Sequence, residues 1–472
     1  MIHYYTDMTI SAGVLIEQSI QQLVASIGQT PKTQTLVIQF SHSQYYLPDQ
    51  SPLELLALLI ISESLDEPVT IEGSVFPFTP KRLEQLQALP DSLGDGGNTL
   101  KEYCHSQSLP WLVMSDPWVL APVHIPKPWG QEIWYTGIEA RGQAGVAADT
   151  GSIPLPWLLE LMSIRIGLPE KSQPILLKVL DPLADEIYGD LYFELHQEKQ
   201  EVYVVTHIDQ KAWPNGNGAI QLGFAAQARA RYETDDEFKQ AYLDAVKKYE
   251  QVRRLVDHQL DGKKIAAGIA IKQPVDGSQL MKWISELLQQ TENTELFNKE
   301  RELRLAMNSF VACHPLRLGD VVTVPKLVPH ALQHGVRVVE FQTPVYERKI
   351  LSFGQKVLTQ SHWDTEDALA LVNLDFAQLQ PPEQLSVNHQ WQVERIVNFD
   401  DFEVQRILLD GEYMFSSGSY SLLMVVQGSL NLRAAGKTNC FEAGQAFLMP
   451  KLENSWLISS EELCVFLLAS PH

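Results

Sequence analysis

From Ala121 onward the chain is written mostly in short β runs, each closed off by proline or glycine, and this texture limits the fold more than any other feature. Pro174-Ile-Leu-Leu-Lys-Val-Leu-Asp181, Leu191 to His196 and Glu201 to Thr206 are examples. Punctuated runs of this kind suit a barrel or sandwich. Between Gly223 and about Leu316 the period becomes helical. Thr234-Asp-Asp-Glu237 reads as a capping-box start. Phe238, Tyr242, Ala245, Val246, Tyr249 and Val256 then share one helical stripe, and Leu280, Trp283, Ile284, Leu287 and Leu288 form a second. Strands return after Leu316, with a helical interruption near Thr365 to Leu371. A last β pattern runs from about Ser386 and includes Ser421 to Gly428 and Gly444 to Pro450. The expected architecture is mainly β: residues 121–222 with 317–385 as one module, 223–316 as a helical insertion, and 386–472 as a second module.

Residues 1–120 read as α/β, with a strand over Thr35–Gln39, an apolar helix over Leu53–Glu63 and a loop over Asp91–Asn98. They hold no catalytic constellation, and their role stays open.

A chain of 472 residues suggests roughly two to four domains. The longest apolar run, Leu53–Ser62, is too short to span a bilayer and leads into Glu63 and Asp66. The N-terminus lacks the basic start and apolar stretch of a signal peptide. The four cysteines, Cys104, Cys313, Cys440 and Cys464, form no C-x-x-C pair, which implies reduced thiols and a cytoplasmic setting. A net charge of −22 argues against a nucleic-acid partner. An anionic small substrate would need a local basic pocket set against that field.

Two segments carry ligand-type residues. In Leu191-Tyr-Phe-Glu-Leu-His196, alternation places Glu194 and His196 on one face and Leu191, Phe193 and Leu195 on the other. If Gln197 to Gln200 form a hairpin loop, Glu201 lies opposite His196, and three ligand-type side chains converge. A polar solvent face would give the same E-x-H. The second segment, Gly319-Asp-Val-Val-Thr-Val-Pro325-Lys-Leu-Val-Pro-His330, has a turn, a strand and a proline stop before the histidine. Its G-x5-P-x4-H spacing resembles the second motif of cupins, small double-stranded β-helix barrels in which that histidine binds metal. Leu327 stands where those proteins usually have glycine. Glu194, His196, Glu201 and His330 together suit zinc or a similar divalent ion. Gly444-x5-Pro450 repeats the spacing, but Ser455 occupies the histidine's place and no histidine occurs from Gln390 to Ser470. One metal per chain follows, with the terminal module as a metal-free structural copy.

Taken together these motifs resemble class I mannose-6-phosphate isomerase, from roughly Pro122 to the C-terminus. Pro126-Lys-Pro-Trp-Gly130 with Glu132 and Trp134 matches that family's K-P-W-G signature. Ile175-Leu-Leu-Lys-Val-Leu180, Glu194-Leu-His196, Lys199-Gln-Glu201 and Gly335 to Gln342 fall on its F-K-V-L, Q-x-H, K-x-E and later ligand strand. The resemblance implies two cupin barrels, metal ligands at Glu194, His196, Glu201 and His330, catalytic roles for Lys199 and Arg348, and substrate contacts from Lys178 and Lys127. It implies interconversion of mannose 6-phosphate and fructose 6-phosphate through a cis-enediol(ate). Three departures bear on the substrate. Glu194 replaces the ligand glutamine, His196-Gln-Glu198 replaces H-P-D, and Tyr192 replaces a small hydroxyl residue implied to help hold phosphate. A sugar-phosphate-binding regulatory protein, a cupin oxygenase and an isomerase of another sugar are the competing readings.

Overall fold

The computed structural model describes residues 2–6, 10–25, 32–63, 69–89, 96–169, 172–375, 380–434, 437–451 and 455–472. The chain is mainly β and divides into two compact units, residues 1–123 with 134–177 and 382–472, and residues 124–133 with 178–381.

In the first unit, strands Ile2–Tyr5, Lys32–His42, Leu53–Glu63, Thr70–Pro77 and Leu112–Val113 form one sheet in chain order. The first pair is parallel and the rest are antiparallel. Leu53–Glu63 is therefore a central strand and not the expected helix. Every residue from Leu55 to Ile61 is buried, so both faces of the strand are covered. A run buried on both faces loses its alternation, and apolar periodicity then no longer separates strand from helix. Leu100, Tyr103 and Cys104 of the helix Gly96–Ser106 pack on Leu56, Leu58 and Ile60. The loop expected over 91–98 lies outside the described residues up to 95, and Gly96 to Asn98 open that helix.

The same unit holds an eleven-stranded sheet in which Trp118–Ala121 pairs with Ala446–Met449 near the end of the chain. Its core includes Ile407, Leu423, Val425, Phe447 and Phe466. Among the described residues no helix is long and apolar enough to cross a membrane, and all four cysteines are free thiols.

In the second unit a six-stranded and a five-stranded sheet share one core. Glu201–Ile208, Val321–Val324 and Val336–Gln342 belong to the first, whereas Phe193–Leu195, Gly218–Phe224 and His330–Leu332 belong to the second. Helices Asp235–Ala266, Gly277–Leu287 and Thr291–Asn308 lie in sequence between Gly218–Phe224 and Val311–Leu316. Thr234 and Glu237 make the reciprocal capping box. Phe238, Tyr242, Val246, Tyr249 and Val256 are buried along one face of the first helix. Leu280, Trp283, Ile284 and Leu287 pack on Val256 and Leu260, whereas Leu288 stays exposed.

Candidate metal centre

The expected hairpin between Glu194 and Glu201 does not form. Phe193–Leu195 pairs with His330–Leu332 and Lys349–Ser352 in one sheet, and Glu201–Ile208 pairs with Val321–Val324 and Val336–Gln342 in the other. Gln197 to Gln200 cross between the sheets. A crossing loop makes no ladder bonds, so its amides need other acceptors. Glu347 Oε1 accepts from the amides of Gln197, Glu198 and Lys199 at 2.8, 3.1 and 3.3 Å.

That crossover still brings His196 and Glu201 together. Glu201 and Tyr203 oppose Gln342 and Glu340 in register, so their side chains share the inward face. Farther along, that face is apolar, with Val205 and Val338 in the core. Each strand thus runs from apolar at one end of the chamber to charged at the other. His330 enters from the opposite sheet, where it is the register partner of Glu194 and Leu222.

His196, Glu201 and His330 are buried, and their ligand atoms lie within 4.8 Å of one another. His196 Nδ1 lies 2.9 Å from the Glu347 carbonyl, which can only accept, so Nδ1 carries the proton in the neutral ring. Nε2 then presents a lone pair. It is buried without a hydrogen-bond partner, 3.5 Å from Glu201 Oε1. Burial first, and the nearby Lys199 charge second, hold the His196 pKa well below its usual value, which keeps the ring neutral. His330 Nε2 lies 3.2 Å from Glu201 Oε2, which also accepts from the Tyr203 hydroxyl at 2.7 Å. Lys199 Nζ sits 2.5 Å from Glu201 Oε1. Burial alone would raise the Glu201 pKa, but Lys199 and His196 hold it well below the usual carboxylate range.

Glu194 stands outside this trio. Its buried Oε2 has no hydrogen-bond partner and faces Arg348 Nη1 at 3.6 Å. Arg348 lies over the Tyr192 ring, 4.5 Å from its centroid, and bonds Thr359 at 3.0 Å. Lys178 lies 3.3 Å from Glu340 and 4.0 Å from Glu132, and Lys127 pairs with Glu132 at 2.7 Å. Burial, and then the Glu201 charge, push the Glu340 pKa well above the carboxylate range. Lys178 moves the other way. Burial would lower its pKa, and Glu132, Glu340 and Glu201 more than reverse that.

Glu340, Gln342, Tyr203 and Glu347 were not singled out by sequence reasoning, and Glu132 was quoted with the K-P-W-G signature but given no role. Glu340 and Gln342 could have been, because they interrupt Val336-Arg-Val-Val-Glu-Phe-Gln342 at alternate positions, as polar residues on a buried face do. Glu347 leaves no such signal, since its acceptor role depends on a loop 150 residues away.

Residues 392–466 match the family model described as mannose-6-phosphate isomerase, cupin domain. The structure is similar to that of the mannose 6-phosphate isomerase from Bacillus subtilis, with a TM-score of 0.51 and 15% identity over 75% of this chain and 99% of that one. It is also similar to a mutant phosphomannose isomerase from Salmonella typhimurium, with a TM-score of 0.50 and 14% identity over 75% and 99%. No curated protein matches by sequence. The likeness to solved structures is one of fold, and the family-model match covers residues 392–466. Residues 392–466 are thus similar to the cupin domain of mannose-6-phosphate isomerases, and the chain shares the fold of those solved structures.

Proposed function

We propose that this chain is a metal-dependent aldose–ketose isomerase that interconverts mannose 6-phosphate and fructose 6-phosphate through a cis-enediol(ate). In this reading residues 124–133, 178–222 and 317–381 make up the catalytic cupin, 223–316 its insertion, and 386–472 belong to a metal-free cupin. The observation that carries it is the bare Nε2 of His196, buried and aimed at Glu201 and His330 in a chamber of paired charges. A neutral imidazole with an unused lone pair beside a carboxylate and a second imidazole is a donor set for a divalent ion.

His196, Glu201 and His330 would hold zinc or a related ion. Glu194 is the fourth ligand in this proposal, from its free buried oxygen and its register opposite His330. When bound, the ion supplies Lewis-acid polarisation of the carbonyl and charge for the developing oxyanion. The protein's own groups do the rest. Lys199, a cation beside Glu201, donates to the substrate and balances the enediolate charge, and Glu340, its pKa held high, is the proton-handling group. Arg348, Lys178 and Lys127 receive the phosphate and the enediolate charge.

The cations Lys127, Lys178, Lys199 and Arg348 each face a carboxylate among Glu132, Glu340, Glu201 and Glu194. The chamber is therefore close to neutral by itself. A bound dication leaves it positive, which matches a phosphate dianion and meets the demand set by the −22 net charge.

Metal analysis of the purified protein with an isomerisation assay over several sugar phosphates tests the proposal. His196→Ala and His330→Ala should each lose the metal and the activity. Full metal and activity in both variants would sink it. One observation favours a second reading, a sugar-phosphate-binding regulatory protein: Glu194 and Tyr192 already engage Arg348. Turnover of mannose 6-phosphate by metal-loaded protein removes that reading.

A further inference from the structure

Gln342 ends the strand Val336–Gln342 and lies on the inward face beside Glu201, its register partner. Directly opposed residues of an antiparallel pair hold their Cβ atoms roughly 4.5–5.5 Å apart, so the two side chains start out level with each other. Gln342 is 2% exposed. The next residue ties the strand end to the crossover. The Thr343 amide donates to the Gln200 carbonyl at 3.1 Å, and its hydroxyl accepts from the Gln200 amide at 3.3 Å. The position of the Gln342 side chain is therefore set by backbone bonds on both sides of the chamber floor.

The direction of its amide is set as well. Nε2 donates to the Thr343 carbonyl at 3.2 Å, and a carbonyl can only accept, so the nitrogen takes that side and the oxygen the other. Oε1 is buried and has no hydrogen-bond partner among the described residues. Buried polar atoms are ordinarily partnered, so an orphaned acceptor calls for a reason. Two more bare lone pairs adjoin the trio: His196 Nε2, 3.5 Å from Glu201 Oε1, and Glu194 Oε2, on the register partner of His330. All three are acceptors. A water molecule donates only two hydrogens and cannot satisfy the set, whereas a cation takes a lone pair from each.

We propose that Gln342 is a further ligand of the metal, through Oε1. This rests on the metal-dependent reading above only as far as His196, Glu201 and His330 hold an ion. With Glu194 the donor set becomes two imidazole nitrogens and three oxygens. Five protein donors exceed the four of a tetrahedral zinc site and favour an ion of five- or six-fold coordination. The amide adds an oxygen without adding charge, so the ligands still carry the charge of two carboxylates.

The test strips the full-length protein with a chelator and reloads it with cobalt(II). Its visible bands are intense in four-coordinate sites and weak in five- or six-coordinate ones, and competition with a chromophoric chelator gives the affinity. The wild type should show weak bands, and intense four-coordinate bands would overturn the proposal. Gln342→Leu should intensify the bands and weaken cobalt retention by at least about tenfold, the least that loss of a partner one shell farther out costs. Gln342→Glu keeps an oxygen in place but cannot donate to Thr343, so it should hold cobalt at wild-type affinity or tighter. Equal losses in both variants would mark a structural role and overturn the proposal, as would wild-type affinity in Gln342→Leu. His196→Ala separates the two readings. Retention of cobalt there removes the metal centre itself, whereas its loss beside an indifferent Gln342→Leu removes only the assignment of Gln342.

Discussion

Leu327 shows how a residue can depart from a motif while its backbone does not. It occupies the place where the cupin spacing usually has glycine, and its φ is +65°. The left-handed conformation is held from both sides, because the Leu327 amide donates to the His196 carbonyl at 2.7 Å and its carbonyl accepts from Asn373 at 2.8 Å. The strain is offset by side-chain packing on the core. A side chain with a Cβ costs about 1–2 kcal/mol in this region, and glycine does not. Leu327→Gly should therefore be more stable than Leu327→Ala by about 1 kcal/mol, the reverse of the usual order, as read by urea unfolding. The departure was legible in the sequence. The retained conformation was not, since only the surrounding bonds impose it.

Glu201 and Glu340 make opposite contributions to stability across pH. Glu201, with its pKa depressed, stabilises the metal-free fold above its ordinary value of 4.5, and that contribution is lost as pH falls below it. Glu340, with its pKa raised, binds its proton more tightly folded than unfolded, so stability falls as pH rises from 4.5 toward the elevated value. Glu340→Gln should make the metal-free protein more stable at pH 8 and flatten its stability between about pH 5 and 8. Chemical unfolding at the two pH values measures this, and an unchanged slope would contradict it.

At the scale of elements, the sequence spoke clearly where one face of a segment met water. The helix Asp235–Ala266 announced its start with Thr234 and Glu237 and its inner face with Phe238, Tyr242, Val246 and Tyr249. It spoke poorly where both faces were buried, as in Leu53–Glu63. The crossover at Gln197–Gln200 was hidden for another reason: four residues are short enough for a hairpin, and only distant acceptors decide otherwise. The convergence of His196, Glu201 and His330 was legible, but the assignment of the strands to one ladder was not. Since one carboxylate oxygen takes three crossover amides, Glu347→Ala should loosen the segment that carries His196 and weaken metal retention by about 10- to 100-fold. Competition with a chelator reads that loss, and wild-type retention would show the clamp to be unimportant.

For the whole molecule, the −22 charge and the nearly neutral chamber act on an anion at different ranges. The distant field is screened within ~8 Å at about 0.15 M salt, whereas ion pairs inside a buried chamber are screened much less. If the proposed isomerase activity is assayed, raising salt from about 0.01 to about 0.15 M should increase kcat/KM for mannose 6-phosphate, because the repulsion is removed first. A decrease would mean that local attraction controls the encounter.

The crossover has one more consequence. His196 and His330 are carried by one sheet and Glu201 by the other. An ion held by all three would rivet the two layers that pack on one apolar core, and would bind the folded chain far better than the unfolded one. At an ion concentration of about 100 times Kd, that linkage raises stability by ~2.7 kcal/mol. The three ligands could thus be retained for the strength of the joint alone, and in such a chain metal content would measure integrity before it measured catalysis.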